Sequence, residues 1–269
     1  MTDPIPLKTD KTIAPSAALR CPNMVAVASG KGGVGKTWFS ITLCHALAKR
    51  GKKTLLFDGD LGLANVDIQL GLTPDKDLGA VVEGASTLAS AVTRFEDNGN
   101  NGGFDILAGR SGSGSLATLA SQKLSEMRHD LIALARGYDV VVVDLGAGVE
   151  RPVRQMAGPA AFTYVVLTDE PTSLTDAYAF IKLGRAANPD ADMRVVVNMA
   201  ATTLEGQKTY ETIRKACGTF LNYEPALAGI IRRDAKVRDA IRAQIPLLTR
   251  SPQSEAATDV EAIAAKLAF

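Results

Sequence analysis

Eight consecutive residues of this 269-residue chain, Gly30-Lys31-Gly32-Gly33-Val34-Gly35-Lys36-Thr37, satisfy the pattern G-x-x-x-x-G-K-[ST]. The chemistry that needs this spacing is the cradling of nucleotide phosphates. Glycines let successive backbone N–H groups wrap the oxygens, the last lysine reaches the β and γ positions, and the threonine hydroxyl binds Mg²⁺. Gly30, Lys31, Gly32, Gly33, Val34, Gly35, Lys36, Thr37 and the following Trp38 are therefore expected to touch a nucleotide, with Lys36 also serving catalysis. Lys31 is a lysine the pattern does not require, and positive charge near a developing phosphoryl transition state is catalytically useful. Trp38 is a bulky indole for which the motif offers no account.

Two apolar runs end in acids. One closes as Phe57-Asp58-Gly59-Asp60-Leu61-Gly62-Leu63-Ala64-Asn65-Val66-Asp67, the other as Val143-Asp144-Leu145-Gly146-Ala147-Gly148. Carboxylates at the C-terminal ends of strands beside the first strand lie where open α/β sheets bind ligands. Asp58 and Asp60 are thus placed to meet Mg²⁺ or an attacking water. Asp144 is expected to hold Mg²⁺ directly or through water, while its glycines permit a loop to approach the γ-phosphate. Thr37, Asp58 and Asp144 form the expected metal set. Asn65 and Asp67 serve equally well as turn residues. Asn198, at the end of the run 194–197, carries both a donor and an acceptor that can pair with an adenine edge. Asp234 is explained equally well as a helix N-cap.

The elements that must position these groups alternate. Short β-branched runs at 24–28, 54–57, 104–107, 140–143, 162–167, 194–197 and 227–231, with a weaker one at 246–248, read as strands. Helical periodicity covers 36–49, 116–135, 173–187, 203–217 and 235–243. This pattern predicts an α/β fold, a mostly parallel central sheet flanked by helices on both faces. The Gly-rich segments 98–103 and 109–115 read as surface loops. Residues 1–22 read as a flexible N-terminal arm and 23–269 as a single domain.

The balance of 30 Lys and Arg against 29 Asp and Glu leaves a net charge of +1, so no global basic field points to nucleic acid. With 46% hydrophobic and 5% aromatic residues the chain reads as an aliphatic globular protein. No apolar run approaches the about 18 residues of a membrane span, and the polar N-terminus does not resemble a secretory signal, so a cytoplasmic location is expected. Cys21, Cys44 and Cys217 are widely spaced, which argues against disulfides and structural zinc.

The early lysine in Lys31-Gly-Gly-Val-Gly-Lys36-Thr37 is the mark of a deviant Walker A motif, and the chain resembles the MinD/ParA class of P-loop ATPases. The segments Asp58 to Asp67 and Asp169-Glu-Pro-Thr-Ser-Leu-Thr-Asp-Ala-Tyr-Ala-Phe-Ile-Lys182 are similar to those of its flagellar-number branch, FlhG/FleN, also called YlxH. The stretch Val195 to Met199 and the run from Arg232 to Pro246 continue the likeness, which spans about residues 22–267. It implies slow, partner-stimulated hydrolysis of ATP to ADP with Mg²⁺, and a homodimer formed on ATP in which Lys31 reaches the partner's phosphates. Asp60 would position water, Asp58 would lie in the metal's outer shell, and Asn198 would read the base. The implied role is control of flagellar number or placement, at a pole reached through partners such as the signal-recognition-type GTPase FlhF. Two features depart from the branch. The arm offers only Pro15-Ser-Ala-Ala-Leu-Arg20 in place of a D-Q-A-x-x-L-R element, and the final helix carries Glu255, Asp259 and Glu261 against Lys266 alone, the wrong sign for anionic lipid.

The alternative is a positioning ATPase of the same class for another cargo, a chemoreceptor array or a DNA partition complex. Partition needs a basic DNA-binding face that the charge balance does not support. An electron-transfer protein like the nitrogenase iron protein would need paired cysteines to hold a cluster between subunits, and no plausible pair is present.

Overall fold

In the computed structural model, residues 20–60, 64–97, 100–109 and 119–267 are described. Residues 1–19 of the expected arm lie outside them, as do 61–63, 98–99 and 110–118 within the segments read above as site or loop.

The chain opens with strand β1 (Cys21–Ser29), helix α1 (Lys36–Lys49) and strand β2 (Thr54–Gly59). Two short helices, α2 (Val66–Leu70) and α3 (Leu78–Val82), lead to the hairpin strands β3 (Thr93–Asp97) and β4 (Asn100–Leu107). Then follow α4 (Ser121–Ala135), β5 (Val140–Ala147), α5 (Arg151–Ala157), β6 (Ala160–Leu167), α6 (Pro171–Ala187), β7 (Met193–Ala200), α7 (Thr203–Leu221) and β8 (Ala226–Arg232). Helices α8 (Ala235–Ala243), α9 (Leu247–Arg250) and α10 (Glu255–Ala265) complete the described chain. The expected boundary at residue 22 moves slightly, because Cys21 and Pro22 already belong to β1.

One eight-stranded sheet runs in the order β3-β4-β2-β5-β1-β6-β7-β8. Each neighbouring pair is parallel except β3 with β4. Two apolar cores cover its faces. Within β1, Val25 and Val27 enter the core beneath α1 and α10, whereas Met24, Ala26 and Ala28 enter the core beneath α4, α5 and α6. A central strand buried on both sides has no polar face to show, and that is why its sequence reads as a continuous apolar run. Helix α1 is likewise enclosed, with Trp38 through Ala48 all buried. The sheet lies on one side of it and α10 on the other.

Four expectations change. The run at 246–248 is not a strand: Pro246, at φ −54°, precedes the short helix α9, whose Leu247 and Leu248 are buried. Proline's fixed φ and missing N–H suit a helix start better than a ladder. Strand β3 was not expected, because its outward residues Arg94 and Glu96 hide the period-two signal that Phe95 and Asp97 carry inward. Residues 100–103, read as loop, belong to β4. Gly102 sits there because a Cβ would collide with His45 of α1 and Asp97 of β3, a close approach that glycine alone allows. Helix α4 also starts later than expected, at Ser121.

Candidate functional site

The chain leaves β1 toward β2 on one side and leaves β5 toward β6 on the other, so the strand order reverses between β5 and β1. Ligands of open α/β sheets bind in the crevice at such a point, outside the C-terminal strand ends. Here those ends deliver the phosphate loop after Ser29, Asp58 to Asp60 after β2, Asp144 to Gly148 at the end of β5, Glu170 after β6, Asn198 in β7 and Asp234 after β8.

The loop is shaped by what surrounds it. The Ser29 hydroxyl donates to the Lys31 carbonyl at 2.6 Å. Gly30 packs so tightly on the backbone of Asp176 in α6 that a Cβ could not fit. Gly35 adopts φ +89° and faces the Asn198 amide with no room for a side chain. Around Gly32 and Gly33 space is open, with nothing within 4 Å of a Cβ built at Gly33. A loop that is pinned at its ends and bare along its inner run is the form a phosphate cradle requires. Lys36 begins α1 and is 7% exposed, so its ammonium belongs to the interior of the crevice rather than to solvent.

Asp58 and Asp144 pair directly across β2 and β5. Both are fully buried. Asp144 Oδ1 accepts from the Ser40 hydroxyl at 2.9 Å, and Oδ2 has no hydrogen-bond partner. Burial pushes the Asp144 carboxyl up to about 6 against the opposing pull of Lys36 and of the Thr37 and Ser40 hydroxyls. Asp58 is raised to about 8, by burial first and by the Asp144 charge second. Its oxygens accept from Asp60 N at 3.3 Å and Val66 N at 3.2 Å, which ties both residues to the end of β2. Two buried carboxyls side by side, one with an orphaned oxygen, fit a divalent cation. Among the described residues no group of three acidic, His or Cys side chains forms a metal cage. That suits Mg²⁺, which is commonly held by one or two protein groups plus substrate phosphates. Asp60 is half-buried, its carboxylate 3.4 Å from where a Cβ of Gly146 would stand, so it faces the loop after Asp144.

Asn198 is 3% exposed. Its Nδ2 donates to the Val34 carbonyl at 2.8 Å and its Oδ1 accepts from Met199 N at 2.9 Å. The side chain expected to read a base therefore also clamps the phosphate loop, with one donor hydrogen and one lone pair to spare. Asp234 caps α8 through Lys236 N at 2.9 Å and also accepts from Ala256 N at 3.3 Å, so its structural role is realised while it still borders the crevice. Asp67 accepts from Ile68 N at 2.8 Å in the first turn of α2, and Asn65 precedes that helix. Neither joins the carboxyl pair.

Lys31 stands apart from Lys36. It is one-third exposed, and its Nζ meets Glu170 Oε2 at 2.5 Å and the Thr172 hydroxyl at 2.8 Å at the start of α6. That contact holds the Glu170 carboxyl below its usual range. Sequence reasoning had not singled out Ser40, Glu170 or Thr172 as site residues. Ser40 had a signal, lying four residues after Lys36 on the same helical face. The other two had none short of the tertiary contact.

Comparison with known proteins gives the family and the fold. The family model described as the CobQ/CobB/MinD/ParA nucleotide binding domain matches residues 25–247. The antiactivator FleN of Pseudomonas aeruginosa is 36% identical over 91% of this chain and 85% of its own length. The flagellum site-determining protein YlxH of Helicobacter pylori is 30% identical over 90% of this chain and 81% of its own. Among solved structures, the MinC:MinD cell division complex of Aquifex aeolicus superposes with a TM-score of 0.74 at 25% identity, covering 91% of this chain and 94% of that one. MinD of Pyrococcus horikoshii, solved with Mg-ADP, gives 0.71 at 22% identity over 90% and 94%, a likeness of fold. The chain belongs to the CobQ/CobB/MinD/ParA nucleotide-binding family as a MinD-like ATPase.

Proposed function

We propose that this chain is an ATP-driven switch: ATP joins two copies, slow hydrolysis separates them, and the paired form helps control flagellar number or placement. The observation that carries the pairing is the division of labour between the two loop lysines. Lys36 is buried in its own crevice, whereas Lys31 emerges onto the surface of α6, held by exposed partners it can exchange for another molecule's phosphates. A cation at the rim is poised for a site in trans, and a transition state with negative charge on the γ-phosphoryl oxygens rewards it.

In each copy, backbone N–H groups of Gly32 to Lys36 would bind the phosphates and Lys36 would neutralise the β and γ oxygens. Thr37 and Asp144 would hold Mg²⁺, which supplies charge neutralisation when bound. Asp58 would act one step further out, holding the backbone N–H groups of Asp60 and Val66. Asp60, facing the loop at Gly146, would orient the attacking water. Asn198 would keep the loop in register with the base.

The flagellar assignment is supported by the identity to FleN and YlxH over about nine-tenths of the chain. An FlhF-type GTPase is the partner proposed for the paired form, with a polar position acquired through it. Two experiments test the reading. Deleting the gene and counting flagella by electron microscopy should change their number or position. A pull-down with Asp60→Ala protein in ATP should recover the GTPase, and recovery of chemoreceptor or partition proteins in its place would transfer the switch to another cargo.

A further inference from the structure

Helices α6 and α7 pack side by side, and between them opens an apolar groove of about 430 Å³, formed by Leu174 and Tyr178 of α6 with Ile213, Ala216 and Phe220 of α7. Phe220 is 73% exposed, more than any other large apolar side chain among the described residues, and Leu204 on the same helix follows at 67%. An aromatic ring left in water beside an apolar trough marks a docking surface. The occupant is suggested by where the described chain begins. Residues 1–19 lie outside the described residues, and the Arg20 guanidinium donates to the Asp190 carbonyl at 2.9 Å, in the turn that follows α6. That turn is bound to the end of α7. Met193 N donates to the Tyr223 hydroxyl at 2.9 Å, and Arg185, which lies over the Tyr223 ring at 4.1 Å, donates to the Ala191 carbonyl at 3.2 Å. Phe220 stands one helical turn before Tyr223, so the chain that precedes Arg20 starts from the end of the groove that Phe220 marks.

We infer that the N-terminal segment of this chain, residues 1–19, docks in its own α6/α7 groove, with Ile13 foremost among the side chains packed on Tyr178 and Phe220. The segment carries Ile5, Leu7, Ile13 and Leu19, the kind of side chain such a trough takes up. Its reach is sufficient. From Ala187 back to Tyr178 the helix rises roughly 14 Å, and the seven residues from Ile13 to Arg20 span up to roughly 23 Å. The helix it covers is the one whose Glu170 and Thr172 border hold Lys31 and whose Asp176 backbone meets Gly30, so the seated segment braces α6 behind the phosphate loop. The docking does not depend on the reading of the crevice as an ATP site.

Amide hydrogen exchange of the full chain, read by mass spectrometry, is compared with that of a synthetic peptide of residues 1–20. Expected is exchange within residues 5–19 at least about fivefold slower in the protein than in the peptide, since docked amides open only part of the time. Phe220→Ser changes a side chain already mostly in solvent, and Ile13→Ser changes the segment itself. Each should return those amides to the peptide's rate while exchange in β1 and β5 stays as in the wild type. Exchange at the peptide's rate in the wild-type protein overturns the inference. So does slowed exchange that survives either substitution in a protein whose β1 and β5 are unchanged. Slowing that disappears on about tenfold dilution gives the groove to a second copy of the chain and overturns docking within one molecule.

Discussion

The two lysines of one loop lead different lives. Lys36 lies inside, opposite a buried carboxyl pair, in surroundings that three parallel strands dictate. Lys31, five residues earlier in sequence, rests on the exposed start of α6 and is held by Glu170 and Thr172. The interior end is fixed by the chain that contains it, since desolvated charges there need defined partners. The rim is held by a pair that water and salt can loosen, and such pairs contribute little. A group that must serve its own molecule is built in, and a group that must serve another molecule is left exchangeable.

Breaking the interior end should have the largest effect. Lys36→Ala should weaken ATP binding by about two to three orders of magnitude in calorimetry, because it removes the cation desolvated beside the β and γ phosphates. A change below tenfold would mean that Lys36 is not in the cradle. Asp60→Ala should leave ATP binding near wild type and lower turnover in a phosphate-release assay by about a hundredfold, as expected for loss of a water-orienting group. Wild-type turnover would remove Asp60 from the mechanism.

The contrast also explains what was legible beforehand. The interior end could be read from sequence because it is made of local grammar: a glycine loop after an apolar strand, and acids where two further strands stop. The enclosure of α1 was not legible, since it depends on Gly102 letting His45 approach β4 and on a hairpin strand whose polar residues face outward. His45 Nε2 meets Asp97 at 3.1 Å, and the Thr249 hydroxyl meets the same carboxylate at 2.5 Å, which ties α1, β3 and α9 together across the chain. The partners of Lys31 were equally hidden, because Glu170 and Thr172 lie 139 and 141 residues away. The acidic final helix, by contrast, packs on the core, with Val260 and Ile263 both buried.

Loosening the rim should have smaller effects. Glu170→Gln removes the charge that holds Lys31 in its own molecule, and it should shift the ATP-dependent association midpoint to lower protein concentration by a few-fold at most, given the modest strength of exposed pairs. A loss of association would show that Glu170 belongs to the interface rather than opposing it. The smallest response is expected from anionic vesicles. Helix α10 keeps its apolar face in the core, and its Glu255 and Asp259 are already paired with Arg232, so with no basic face to offer lipid, co-sedimentation should stay near background with or without ATP. ATP-dependent pelleting of most of the protein would contradict that.

The account stands or falls on whether Lys31 works between molecules. Multi-angle light scattering of Asp60→Ala in Mg-ATP should give twice the 28.3 kDa chain mass, and Asp60→Ala with Lys31→Ala should give 28.3 kDa while still binding ATP by calorimetry. A dimer in the doubly substituted protein would contradict the division of labour between the two lysines.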